Sequence, residues 1–408
     1  MEIIIIILII CCCYCCSIIL GGGYYYITSQ KNLNNSLDNK TSGSTTNNTA
    51  GSKTNNTAGS IINNAAGSTT NNTTGSPTDN NASVSTTPII TTTPIPMLYP
   101  FTSHKFTNAN ATGPNGPKLD TVRTVYSSVD WAQDITNNYL NMTNNNGIQL
   151  WTVPSSGKYT IRAVGANGGN SLNGTKGGKG IDISTIALLN KGEIISILVG
   201  QAGLSVNESS KEAAGGGGGS FVVREKNVPI IVAGGGGGET DPTGALGGKT
   251  GDKSGGDAVK TTNGSGGGIS GGDAGKLSNK AGVDGNGATA SPGLYGNGNG
   301  AGGGGFKTGG KEETQDERGA GAGFITGFGV GGANNGGFGG GGTGYGHIQF
   351  SGGGGGGYSG GAGATYGGLP AIFYKSGGGG SYAISEMTVN GKNSSTDGNG
   401  SVTITINK

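Results

Sequence analysis

The chain has 408 residues, a formal net charge of +2, only 12% charged side chains and 91 glycines, far above the usual share of about 7%. With no basic surplus to neutralise a row of phosphates, nucleic acid is not an expected partner. Two scattered histidines, His104 and His347, and no cysteine beyond Cys16 leave no metal-ligand spacing and no disulfide framework after the first residues.

Residues 3–20 read IIIIILIICCCYCCSIIL, without a charge, and the uncharged stretch runs on to Ile27 past Tyr24, Tyr25 and Tyr26. That is long enough to cross a bilayer with some tilt, with the tyrosines at the depth of an interfacial aromatic belt. A cleaved signal peptide fits less well, because there is no basic leading region and no small-residue cleavage site. The expectation is a single-pass membrane anchor over residues 1–29, with the C-terminal part outside the cell or on a virion surface.

Residues 30–119 are expected to form a disordered stalk rich in Asn, Thr and Ser. Within it, residues 43–82 hold five degenerate octapeptides, GSTTNNTA, GSKTNNTA, GSIINNAA, GSTTNNTT and GSPTDNNA. They are too poor in apolar residues to offset the entropy of ordering. Asn39, Asn47, Asn55, Asn72, Asn81, Asn110 and Asn141 each begin an Asn-x-Ser/Thr triplet and are the candidate N-glycosylation sites.

From residue 120 onward β-branched and aromatic residues return, and residues 120–408 are expected to be a mainly β, glycine-rich domain. Strands are predicted over 148–153, 158–164, 181–188, 193–199, 220–224, 228–232 and 401–406, the last with Val402, Ile404 and Ile406 on one face. The pattern suggests an antiparallel β-sandwich. Six glycine runs, 215–219, 234–238, 302–305, 339–342, 352–357 and 377–380, lie between or after these strands. Free polyglycine is costly to order, but Phe221, Phe306, Phe324, Phe338, Tyr358 and Tyr382 lie close to the runs and could seat them on the sheet. Without a Cβ, extended threefold segments can approach one another and pair their amides.

The ordered series Gln149-Leu150-Trp151, Val153-Pro154, Leu198-Val199-Gly200-Gln201, residues 214–220 followed by Phe221-Val222, and residues 231–238 resembles the glycine-rich ectodomain of the anaplastic lymphoma kinase and leukocyte tyrosine kinase receptors. The resemblance extends over roughly residues 145–406. It implies a sandwich similar to the tumour-necrosis-factor fold, carrying a bundle of polyglycine II helices, in a region that binds protein ligands in those receptors. The chain departs from them in lacking a kinase domain and the ectodomain cysteines, and in placing its apolar segment first.

No catalytic, cofactor or metal site is expected. The strand-to-glycine passage at residues 228–238 is not followed by a helix start and a suitably spaced acid, as a dinucleotide-binding turn requires. Residues 248–250 lack the first glycine of a phosphate-binding loop, and residues 247–252 do not sustain a calcium-binding repeat. The charge cluster at residues 311–318, with Glu312 and Glu313, reads as a solvated loop tip. The expected partners are the membrane and a protein or glycan ligand. A structural surface or virion component, self-assembling into homo-oligomers, is the alternative.

Overall fold

A computed structural model describes residues 96–408 apart from 143, 145, 171–174, 206–212, 241–254, 266–279, 289–299, 312–318, 347–349 and 367–372. The expected membrane segment, the octapeptides, the sequons at Asn39, Asn47, Asn55, Asn72 and Asn81, residues 247–252 and most of the 311–318 cluster lie outside the described residues. Among the described residues no helix is long and apolar enough to cross a membrane.

In chain order the elements are β1 (Ser103–Phe106), α1 (Leu119–Val125), α2 (Asp130–Gln133), β2 (Leu140–Met142), β3 (Gln149–Thr152), β4 (Gly157–Val164), β5 (Ile181–Leu189), β6 (Ile194–Leu198), β7 (Ser220–Arg224) and β8 (Val228–Ala233). They continue with α3 (Phe324–Gly327), the two-residue strands β9 (Tyr345–Gly346), β10 (Phe350–Ser351), β11 (Thr365–Tyr366) and β12 (Phe373–Tyr374), then β13 (Tyr382–Ala383), β14 (Thr388–Lys392) and β15 (Ser401–Ile406). The long strands form two antiparallel sheets. One has the order β1-β15-β4-β5-β14, the other β13-β8-β7-β6-β3-β2.

The first sheet follows from period-two alternation. Tyr159, Ile161 and Ala163 of β4 point inward and are fully buried, while Lys158 and Arg162 point out. In β15, Val402 and Ile404 are buried opposite Ala163 and Ile161. The second sheet is buried on both faces. Trp151, Ile195, Ile197, Val222 and Ile231 meet the first sheet in the main core. Ile148, Leu198, Phe221, Val223 and Val232 face the other way, into a second core completed by Phe306, Phe324 and Phe338.

That second core is where the glycine-rich segments dock. Phe221, Phe324, Phe306, Tyr358 and Tyr382 form a column of nearly parallel rings, with successive centroids 5.2, 5.5, 6.0 and 4.8 Å apart. Phe306 and Tyr358 directly follow glycine runs, and Phe221 and Tyr382 follow them after one serine. The expectation that rings near the runs seat them on a sheet therefore has a concrete form.

The runs themselves hydrogen-bond with a period of three. Gly353 and Gly356 donate to the carbonyls of Ala214 and Gly217, Gly354 and Gly357 to those of Ala301 and Gly304, and Gly355 and Tyr358 to those of Gly377 and Gly380, all at 2.8–3.2 Å. In return, Gly353 and Gly356 accept from Gly238 and Gly235, Gly354 from Gly342, and Gly355 from Gly361. The segment at 353–358 is thus surrounded by six others, and its backbone groups pair with neighbours in place of water. None of the glycines at 352–357 has a positive φ, so the backbone angle does not demand glycine here. The close approach does: a Cβ on Gly354 would fall on the carbonyl oxygen of Gly361, and one on Gly216 on that of Gly354.

One boundary needs correction. The ordered unit does not begin at residue 120. β1 pairs with β15 through Ser103↔Thr405 to Phe106↔Val402, and Tyr99, Phe101 and Phe106 belong to the main core. Residues 96–119, expected in the stalk, thus belong to the sheet-bearing unit. Three aromatic side chains, spaced through polar sequence, bury enough apolar surface to order this stretch, although it shows no clear strand periodicity.

Gly354→Ala should destabilise the folded chain by about 3 kcal/mol or more, or prevent folding, because the neighbouring carbonyl cannot move aside in a filled lattice. Gly157→Ala meets nothing within 4 Å and should change stability by no more than about 0.5 kcal/mol. Urea unfolding of the two variants measures the contrast.

Candidate ligand-binding recess

Among the described residues, two of the open recesses near the first sheet carry groups that could hold a ligand. The more polar, about 310 Å³, lies on its outer face between Lys105, Arg162 and the loop preceding β15. Arg162 Nε donates to Asp182 Oδ1 at 2.8 Å and its second nitrogen pairs with Asp182 Oδ2. Asn390 Nδ2 adds a third bond to that carboxylate at 3.1 Å. The pairing raises the pKa of Arg162, chiefly through its hydrogen bond to Asp182. The loop is organised by Asn393, which is buried. Its Nδ2 donates to the carbonyls of Gly165, Gly398 and Asn399 at 2.9–3.1 Å, and its Oδ1 accepts from Ser395 N at 2.9 Å. These groups satisfy one another, so they read as scaffold.

The second recess, about 480 Å³, is built by the segment before β1, by α2 and by the approach to β2. This is within the usual range of about 300–1,000 Å³ for small-molecule sites. Its wall is aromatic. Tyr99 stacks on Trp131 at 5.4 Å and meets Tyr139 at 4.5 Å. Trp131 is held by α2, a single turn tied to α1 where Gln133 Nε2 donates to the carbonyls of Arg123 and Tyr126 at 2.9 and 3.1 Å. Tyr99 is fixed from behind by a hydrogen bond from its hydroxyl to the carbonyl of Thr152.

The rim carries Ser128, Asp130, Asp134 and Asn137. Asp134 Oδ1 accepts from the backbone N–H groups of Thr136 and Asn137 at 3.0 and 2.9 Å, and its Oδ2 from Asn137 Nδ2 at 2.7 Å. The side-chain bond from Asn137, with these backbone bonds, holds Asp134 below the usual carboxylate range. His104 closes the recess from within. Its ring lies edge-on to Tyr126, Phe106 and Trp131 at 4.6, 4.7 and 5.1 Å. Burial pushes its pKa down to about 4, so the imidazole is neutral near pH 7.

Sequence reasoning did not single out this recess, because its aromatic residues come from four separate stretches and form no motif. Among the described residues there is no group of three or more side chains that could hold a metal ion. Of the candidate glycosylation sites, Asn110 is exposed in a left-handed backbone conformation and Asn141 is exposed on the edge strand β2. Asn393-Ser394-Ser395 is a further acceptor triplet, and there the asparagine amide is committed to three carbonyls.

No family model matches the chain. Over 58 residues it is 47% identical to the leukocyte tyrosine kinase receptor of Mus musculus, a stretch covering 14% of this chain and 6% of that receptor. The similarity is therefore to a small part of that receptor's length.

Two predictions follow from these geometries. His104 is neutral in the folded chain below the pH at which it would be protonated when unfolded, so the unfolded state binds the extra proton between about pH 6.5 and 4. Stability should fall by up to about 3 kcal/mol as pH drops through that window, and His104→Phe should remove this part of the slope in urea titrations. Asn393→Asp should cost about 3 kcal/mol by turning a carboxylate on carbonyls that now receive N–H groups, and mass spectrometry of the chain made in a glycosylating host should find Asn393 unmodified.

Proposed function

We infer that the chain is a non-catalytic surface protein, held by its N-terminal segment to a membrane and presenting the glycine-rich domain to a protein or glycan partner outside the cell or on a virion surface. The observation that carries this reading is the open, aromatic-walled recess on a backbone-locked scaffold: a preformed concave site with exposed polar groups on its rim. The local similarity to a receptor supports the same reading.

The period-three hydrogen bonding supports a finer account of the fold. The runs are polyglycine II helices packed as a bundle against a sandwich of the tumour-necrosis-factor type. In that arrangement the bundle supplies rigidity but almost no chemistry, since its residues lack side chains. Specific recognition is left to the sheet edges, the loops and the segment that carries Tyr99 and Trp131.

The test is capture by full-length chain, solubilised in detergent, from an extract of cell-surface proteins and glycans. A monodisperse chain that binds saturably with a sub-micromolar Kd fits recognition. Concentration-dependent polymerisation without binding would instead favour a self-assembling structural component. Protease protection on intact membranes checks which side carries the domain.

A further inference from the structure

We propose that the recess beside Trp131 is a sugar-binding site, taking one neutral hexose or N-acetylhexosamine unit. This names the ligand class for the recess and rests on the recognition reading above. Trp131 is only 8% exposed and lines the recess. Its indole N–H has no acceptor among the described residues, and it is not one of the buried unpartnered atoms, so it stays open to solvent on a residue that lines the recess. Asp130 and Ser128 line the same space, and neither makes a side-chain hydrogen bond to the described residues. The site thus offers one fixed N–H donor, one free carboxylate and a hydroxyl beside the stacked pair Tyr99 and Trp131 and the tilted, half-buried ring of Tyr139.

A sugar ring matches this set. Its hydroxyls donate to Asp130 and accept from Trp131, while its C–H face lies against Tyr139, the least buried ring of the wall. An organic cation matches it less well. Asp134 already accepts three N–H groups of its own turn, so a cationic head would pair with Asp130 alone and would leave the Trp131 N–H without an acceptor.

The chain has two tryptophans, Trp131 and Trp151, and Trp151 is fully buried. A ligand-induced change in indole emission of the full chain therefore reports on Trp131, the one of the two that lines the recess. The probes are free glucose, galactose and N-acetylglucosamine, with choline as the cationic comparison. At least one sugar should change the emission saturably, with a Kd on the order of 1 mM. Asp130→Asn should weaken that binding about tenfold or more and leave the urea midpoint unchanged. No response to any of the three sugars, equal binding by the Asp130→Asn variant, or a response to choline alone would overturn the proposal. Chain made without glycans should bind free sugar. If the glycosylated chain binds only after amidase treatment, the natural occupant is the chain's own glycan, and if both forms bind, it is a partner's. Where sugar binding fails but capture by the cell-surface extract persists, the ligand class falls and the recognition reading stands.

Discussion

The absence of a Cβ is the constraint on which the glycine-rich part of this molecule depends. Backbone segments approach until one chain's Cα lies against the next chain's carbonyl, and the amide hydrogen bonds then run sideways between segments. Ordinary sheets satisfy their amides with two neighbours in a plane. Here Gly353 to Tyr358 donate to three different segments and Gly353 to Gly356 accept from three more. The arrangement holds only if the approach is close on every side, which explains why Gly354 and Gly216 are glycine although neither has an unusual φ. The entropy lost by ordering glycine is large, and it is offset by a dense network of buried backbone bonds.

The lattice needs an apolar floor, and the second sheet provides it. Because Phe221 and Val223 of β7 point away from Val222, that sheet buries both faces. One closes the sandwich; the other receives the rings that terminate the glycine runs. The two cores share a sheet, so loss of packing on one side weakens the platform for the other.

Much of this was legible in the residues. The alternation of Tyr159, Ile161 and Ala163, and of Val402 and Ile404, marks half-buried strands without reference to any partner. The rings beside the glycine runs announce that the runs are seated, since free polyglycine has no use for Phe306 or Tyr358. The segment carrying Tyr99, Phe101 and Phe106 was not legible. Its strand is four residues long, and its apolar side chains gain their meaning only from β15, some 300 residues later in the chain. The recess was hidden for the same reason: Tyr99, Trp131 and Tyr139 are brought together by tertiary contacts alone. Strands such as β13 and β14 are short or exposed, and carry too little periodicity to stand out.

The aromatic column has a further role that concerns order rather than strength. A run of identical glycines contains no mark of where it should start. Sliding one threefold segment along its neighbours by a full turn would restore the same set of backbone bonds, so hydrogen bonding alone leaves the alignment degenerate. Phe306, Tyr358 and Tyr382 remove that degeneracy, because a shifted run would pull its ring out of the stack. In sheets the alternation of side chains fixes the register. In this lattice, where there are no side chains to alternate, the rings at the ends act as the index marks.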